Sequence, residues 1–304
     1  VTYTPTISPT RTIALPSATY TPTTSPTATP TSEPRLWSAT IPGYSALFGY
    51  SISGAGDVNA DDLDDVLVGA RDYGERWEGG AFLYLGAEEG PGTTADWVVE
   101  SNQAYAVMGC AVSSAGDVNA DGFDDVLVSA CQYTAGQISE GAVFAYYGSP
   151  SGLSTVPDWM AEGNQASAYF GWSISAAGDV NHDGFGDVVI GARHYSGGQA
   201  EEGKAYVYLG SASGLQATPA WQHEINVANA GFGYSVSGAG DVNGDGYDDI
   251  LVSSYNYIYG TLNGGDAYLF LGSALGIVDT PAWIGSSGTS LDGYGYTVAR
   301  AGDV

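Results

Sequence analysis

Short apolar runs recur along this chain at a fixed spacing, and they come in four kinds. An alternating run such as Tyr50-Ser-Ile-Ser-Gly-Ala55 leads into an acidic stretch, and a continuous one such as Val66-Leu67-Val68-Gly69-Ala70 leaves it. A third, Gly80-Ala-Phe-Leu-Tyr-Leu-Gly86, is matched at Gly141–Gly148, Gly203–Gly210 and Gly265–Gly272. The fourth opens on a Trp, at Trp37, Trp97, Trp159, Trp221 and Trp283, stepping by 60 and then by 62 residues. Period-two alternation and short apolar runs between turn residues are strand patterns, and no helical period occurs. Four strands per unit, repeated at one period, predict an all-β fold, a β-propeller of four-stranded blades. The blades are expected at about 48–100, 108–162, 170–224 and 232–286, with a fifth begun at 294. A blade cannot cover both its faces alone. The unit Trp, the central Val/Leu runs and the aromatic or Met before each Gly (Phe48, Met108, Phe170, Phe232, Tyr294) are therefore expected to form inter-blade core.

The ends read differently. Residues 1–34 are rich in Thr, Pro and Ser, with Tyr-Thr-Pro-Thr at 3–6 and again at 20–23, and predict an extended, disordered linker. The repeat region runs from 35 to 304. Leu36–Ile41 matches the fourth strand of a unit and is expected to complete the last blade of a closed ring. Four whole and two partial blades read as a fragment of a larger propeller.

Between the first and second strands of each unit stands a nine-residue acidic loop, beginning at Asp57, Asp117, Asp179 and Asp241, with a fifth start at Asp303. Side-chain oxygens fall at positions 1, 3, 5 and 9. These are Asp57, Asn59, Asp61 and Asp65; Asp117, Asn119, Asp121 and Asp125; Asp179, Asn181, Asp183 and Asp187; and Asp241, Asn243, Asp245 and Asp249. The carbonyl at position 7 (Leu63, Phe123, Phe185, Tyr247) can add another oxygen. Mixed carboxylate, amide and carbonyl ligation is the chemistry of Ca2+, so about one ion per complete blade is expected. A helix–loop–helix calcium hand would need Glu at position 12, where Val68, Val128, Ile190 and Val252 stand inside strands. Position 6 is Gly122, Gly184 and Gly246 but Asp62 in the first loop, and Asp tolerates the left-handed backbone better than most residues. Position 8 is Gly186 in the third loop, where the others have Asp.

Phe-Gly at the start of each unit, Gly-Asp-Val-Asn-Gly-Asp-Gly-Tyr-Asp-Asp in its middle and Gly-Ala after it resemble the FG-GAP repeat. That repeat builds the calcium-binding, usually seven-bladed N-terminal propeller of integrin α subunits and propellers of many bacterial surface proteins. The resemblance covers about 35–304. It implies Ca2+ sites in the hairpin loops, with partners bound elsewhere on the ring. The final Pro of the motif is replaced by Arg71, Cys131, Arg193 and Tyr255.

Charge agrees with this reading. The net charge is −27, and 16 of the 34 acidic residues lie in the four complete loops. Such a surface excludes nucleic acid as a partner, and no apolar run is long enough to cross a membrane as a helix. Cys110 and Cys131 flank the second loop almost symmetrically, leaving open a cross-strand disulfide or two part-buried thiols. The three histidines have no partner at a spacing that suggests a nucleophile and base, so no catalytic residue and no enzyme is expected. Function is expected where blades differ, on the loops 73–79, 133–140, 195–202 and 257–264. Trp77, Ile138, Ile258 and Tyr259 are the candidate contacts there. The whole reads as an extracellular or cell-surface, calcium-binding adhesion or protein-recognition module. The alternatives are a glycan-binding propeller or the non-catalytic propeller of a larger secreted, polysaccharide-degrading enzyme.

Overall fold

Each apolar run becomes a strand. A computed structural model describes residues 37–41, 46–255, 257–258, 261–262, 264–287 and 293–302. The expected linker therefore lies outside the described residues, as do Tyr259 and Asp303. The first blade is β1 (Phe48–Gly56), β2 (Asp65–Ala70), β3 (Gly80–Tyr84) and β4 (Trp97–Glu100). The second is β5 (Met108–Gly116), β6 (Asp125–Ala130), β7 (Ala142–Tyr146) and β8 (Trp159–Glu162). The third is β9 (Phe170–Gly178), β10 (Asp187–Ala192), β11 (Lys204–Tyr208) and β12 (Trp221–His223). The fourth opens with β13 (Phe232–Gly240) and β14 (Asp249–Ser254). A two-stranded hairpin follows, β15 (Tyr257–Ile258) and β16 (Thr261–Leu262), before β17 (Asp266–Phe270) and β18 (Trp283–Ser286) complete that blade. Each blade is an antiparallel meander in chain order, and no helix occurs among the described residues. The chain is a β-propeller of four-stranded blades.

The cores lie between blades rather than inside them. One cluster joins Leu83 and Trp97 of the first blade to Met108, Val126 and Tyr146 of the second. A second joins Leu127 and Trp159 to Phe170, Ile190 and Tyr208, and a third joins Val189 and Trp221 to Phe232, Ile250 and Phe270. Because β6 and β10 have a neighbour on both faces, every residue in each is buried. This is why the second run of each unit is continuously apolar. The unit Trp works as a hook into the next blade. Trp97 Nε1 donates to the Ser154 carbonyl at 2.8 Å and Trp159 Nε1 to that of Gln216 at 3.0 Å. Their rings meet Tyr146 and Tyr208 edge-on, with centroids 5.0 Å apart in both pairs.

The first strands stand side by side and are cross-linked by serines. Ser51 Oγ accepts the Val112 N–H at 3.0 Å, Ser173 Oγ donates to the Gly233 carbonyl at 2.9 Å, and Ser235 Oγ accepts the Val298 N–H at 3.1 Å. The Gly of each Phe-Gly pair sits at the bulge that starts this strand. Gly109 has φ +77°, and a Cβ there would collide with the Gly80 carbonyl. The absence of a side chain is what lets two blades close together there.

Leu36–Ile41 departs from expectation. Its described part, 37–41, forms no strand. A fourth strand forms by pairing with the third strand of its own blade, and none of the described third strands is free to take it. The hook survives without the strand: Trp37 Nε1 donates to the Gly92 carbonyl at 2.9 Å, and its ring meets Tyr84 at 5.2 Å.

Phe170→Ala should cost about 3–5 kcal/mol in urea unfolding, because this ring is fully buried between the second and third blades. Ile52→Ala, at a position 64 % exposed, should stay within about 0.5 kcal/mol of the parent chain.

Candidate metal loops and the opposite rim

The four acidic loops join the first and second strands of the blades and adopt one geometry. At position 1, both carboxylate oxygens accept loop N–H groups. Asp57 takes those of Asp61 and Asp62 at 3.1 and 2.8 Å, and Asp241 takes those of Asp245 and Gly246 at 3.0 and 2.8 Å. At position 3, Asn119 Oδ1 accepts the Asp121 N–H at 2.9 Å while its Nδ2 donates to Asp121 Oδ2 at 2.9 Å. At position 5, Asp121 Oδ1 accepts the Phe123 N–H at 3.1 Å, and Asp61, Asp183 and Asp245 repeat this with Leu63, Phe185 and Tyr247. The wrapping depends on left-handed backbone at position 6, where Asp62 has φ +69° and Gly122 φ +91°. Asp62 thus does what its glycine counterparts do. Position 4 is left-handed too, at Ala60, Ala120 and His182. That places His182 in a turn and leaves it no chemistry to explain.

Position 9 differs from the rest. Asp65, Asp125, Asp187 and Asp249 are buried at the starts of β2, β6, β10 and β14. Asp125 Oδ2 accepts the Val118 N–H at 2.9 Å and Oδ1 the Gly148 N–H at 2.9 Å, so one carboxylate ties the loop to the end of the third strand. The same pair of bonds recurs at Asp65, Asp187 and Asp249. Burial, reinforced by repulsion from the neighbouring loop carboxylates, pushes Asp125 and Asp187 up to about 7, although both accept backbone N–H groups. Asp65 and Asp249 are raised for the same reasons. Asp241 is held below its ordinary value by the N–H groups of Gly246 and its neighbours.

The loops also join blade to blade, through a residue given no such role above. The N–H at position 8 donates to the position-1 carbonyl of the preceding loop: Asp124 to Asp57 at 3.0 Å, Gly186 to Asp117 at 2.9 Å and Asp248 to Asp179 at 3.1 Å. Asp124 and Asp248 return the bond through Oδ2, which accepts the N–H of Asp57 and of Asp179, both at 2.9 Å. Position 8 therefore faces away from its own loop, and Gly186 alters a junction between blades rather than a ligand set. Position 8 immediately precedes the strand that begins at position 9, and at Asp124 and Asp248 the side chain reaches the preceding loop instead of its own.

The donor set suits a hard cation. Each loop offers three carboxylates, an amide and a carbonyl within nine residues, and an oxygen that accepts one N–H retains a second lone pair. Among the described residues, no three acidic, histidine or cysteine side chains are drawn together around a common point. The loop oxygens are turned onto the loop's own N–H groups.

At the other end of the blades, the segments after the second strand carry the variable loops. Trp77 is 55 % exposed and packs edge-on against Tyr105, while Ile138 is 72 % exposed. Ile258 lies in β15. Sequence reading passed over what stakes these loops down. Glu140 and Glu202 are fully buried, and one oxygen of each accepts three consecutive N–H groups, Ala135 to Gln137 and Gly197 to Gln199. The recurring Glu-Gly at 78–79, 140–141 and 202–203 was the available signal.

A family model described as "FG-GAP repeat" matches residues 170–208 and 232–270. This chain contains FG-GAP repeats. Integrin alpha-3 of Mus musculus is 34 % identical over 215 residues, covering 68 % of this chain and 19 % of that protein. Integrin alpha-3 of Cricetulus griseus is 36 % identical over 183 residues, covering 58 % and 17 %, and integrin alpha-5 of Xenopus laevis is 31 % identical over 159, covering 49 % and 15 %. The chain thus spans less than a fifth of the length of each of these relatives.

The FG-GAP frame exposes a pairing. The residue after Phe-Gly and the residue at the replaced Pro face each other, and each blade solves that contact differently. Arg71 lies over the Tyr50 ring at 4.7 Å, and Arg193 over Trp172 at 3.4 Å. Tyr234 and Tyr255 pair ring to ring at 4.9 Å. In the second blade Cys110 and Cys131 form a disulfide, with Cα atoms 6.3 Å apart. The bulge after Met108 brings these cysteines together, which settles the choice that symmetry about the loop left open.

In chelator, stability should fall as pH rises from about 4 to about 7. Over that range the folded chain retains protons at Asp125 and Asp187 that the unfolded chain has released, so deprotonation favours unfolding. The loss is on the order of 4 kcal/mol per group at most. Urea midpoints against pH measure it, and Asp125→Asn with Asp187→Asn should flatten the profile.

Proposed function

We propose that this chain is an extracellular, calcium-stabilised propeller that serves as an adhesion or protein-recognition module. The observation that carries the reading is the fourfold recurrence of one oxygen-donor loop, in one conformation, at one end of every blade. Asp57, Asn59, Asp61, the Leu63 carbonyl and Asp65, with their counterparts in the other three loops, would hold one Ca2+ per blade. A bound ion supplies positive charge among carboxylates that otherwise repel, and it stiffens loops already chained to one another. The similarity to integrin alpha chains supports recognition of a partner as the use of this frame. The Cys110–Cys131 disulfide fits an oxidising compartment.

The partner would meet the variable loops at the opposite end, where Trp77 and Ile138 stand exposed on a rigid support. The metal would then act through rigidity, at a distance from the contact. Melting should rise with Ca2+, by about 2.7 kcal/mol per filled site at a free concentration 100 times the dissociation constant. Asp245→Asn should remove roughly one site's share. A melting temperature indifferent to Ca2+ would count against the metal assignment. For the recognition role, surfaces coated with the chain should retain cells in Ca2+ and release them in EDTA. A Trp77→Ala/Ile138→Ala variant with unchanged melting should retain fewer, and equal retention would exclude these loops as the contact.

A further inference from the structure

Only seven Lys and Arg residues occur in this chain, and among the described ones Arg193 is the half-buried arginine that lies over three aromatic rings. Its guanidinium lies 3.4 Å from the centre of the Trp172 ring, between Tyr169 and Tyr234. No carboxylate comes within ion-pair reach of it among the described residues, and its Nε is buried without a hydrogen-bond partner. Arg71, at the same repeat position in the first blade, pairs instead with Asp72 at 3.2 Å. A guanidinium stacked face-on keeps its N–H donors in its own plane, free to grip an anion edge-on. A half-buried cation without a counterion is costly to keep, and a chain with 34 acidic residues does not lack carboxylates to offer it.

Arg193 lines a cavity of about 400 Å3 at the end of the blades remote from the acidic loops. We propose that this cavity binds a sugar residue bearing a carboxylate, with Arg193 holding the acid group and the sugar ring lying against tyrosines. Tyr234 and Tyr296 supply the apolar wall, their ring centres 5.3 Å apart and inclined at 51°. Such faces suit the C–H face of a pyranose. Asn229 and Glu201 also line the cavity and present the mixed donors and acceptors that sugar hydroxyls require. His194 lies 3.6 Å from Glu201 on the same wall, and among the described residues no ion pair joins Glu201 to Arg193. The volume lies within the range of small-ligand pockets and accommodates a single sugar ring. An acidic peptide would engage Arg193 alone, whereas Asn229 and the tyrosine wall match the hydroxyls and the C–H face of a sugar, so the sugar is the better occupant. This inference goes beyond the recognition role proposed above and rests on none of the metal loops.

Titration of the whole chain with methyl β-D-glucuronide, followed by saturation-transfer NMR and calorimetry, tests it. The glucuronide should bind at least ~10-fold more tightly than methyl β-D-glucoside, the worth of one charge-assisted contact. Arg193→Gln should lose about that factor. Asn229→Asp should weaken the glucuronide as well, because it keeps the left-handed backbone at φ +58° while adding a second carboxylate to the one that Glu201 already brings to the cavity. Unchanged thermal melting certifies that each variant folds. Equal binding of the two glycosides, no binding at all, or glucuronide binding indifferent to both substitutions would overturn the proposal. An N-acetyl-aspartate amide that binds as tightly as the glucuronide would also overturn it and assign the cavity to acidic peptide. Failure of Ca2+ to shift melting would leave these outcomes untouched.

Discussion

The structure depends on one constraint: each blade has two apolar faces and can bury neither alone. The packed clusters accordingly span pairs of blades, and residues such as Phe170 and Phe232 are sealed only when a neighbour is in place. Burial of this kind has no direction, so register has to come from elsewhere. The Trp hook, the serine cross-links between first strands and the position-8 bonds between loops supply it, each joining one blade to the next. Together they make the stack behave as a repeat array, in which each unit's stability is largely a property of its interfaces.

The two ends of the blades are then free to differ. At one end the acidic loops are alike, because each must wrap the same way and deliver its last Asp to the end of a third strand. Buried position-9 carboxylates lie beside exposed ones at that end, and burial together with mutual repulsion raises their pKa values. At the other end the loops vary in sequence, and buried Glu140 and Glu202 hold two of them in shape. A stiff, repeated base beneath a varied rim puts the differences between blades on loops held by a rigid scaffold.

Much of this was legible in the chain. Strand order and blade period follow from patterns that packing imposes on every unit. Trp97, Trp159, Trp221, Met108, Phe170 and Phe232 are buried as expected, whereas Trp37, Trp283 and Tyr294, which lack a complete blade beside them among the described residues, are exposed. The wrapped loops were legible for the same reason, down to Asp62 standing in for glycine. Other features were hidden. Position 8 was read with its own loop although it serves the junction, because its hydrogen-bond partners lie in the preceding loop, distant in sequence. The strand expected at Leu36–Ile41 failed at its described part because strand character there depends on a pairing partner and not on the segment.

The rim shows most clearly where sequence reasoning stops. Tyr50 with Arg71, Cys110 with Cys131, Trp172 with Arg193 and Tyr234 with Tyr255 are each about twenty residues apart. Read along the chain, they look like four unrelated departures from a motif. The bulge at each Phe-Gly turns them into one contact solved four ways. Sequence alone determined the β-propeller, its period and the residues of its acidic loops, because these repeat and their causes are local or periodic. Tertiary structure decided which side chains face across blades, which cysteines join and that the half-buried Arg193 stacks on aromatic rings rather than on a carboxylate. Those outcomes depend on backbone offsets and on neighbours distant in sequence, which no local pattern records.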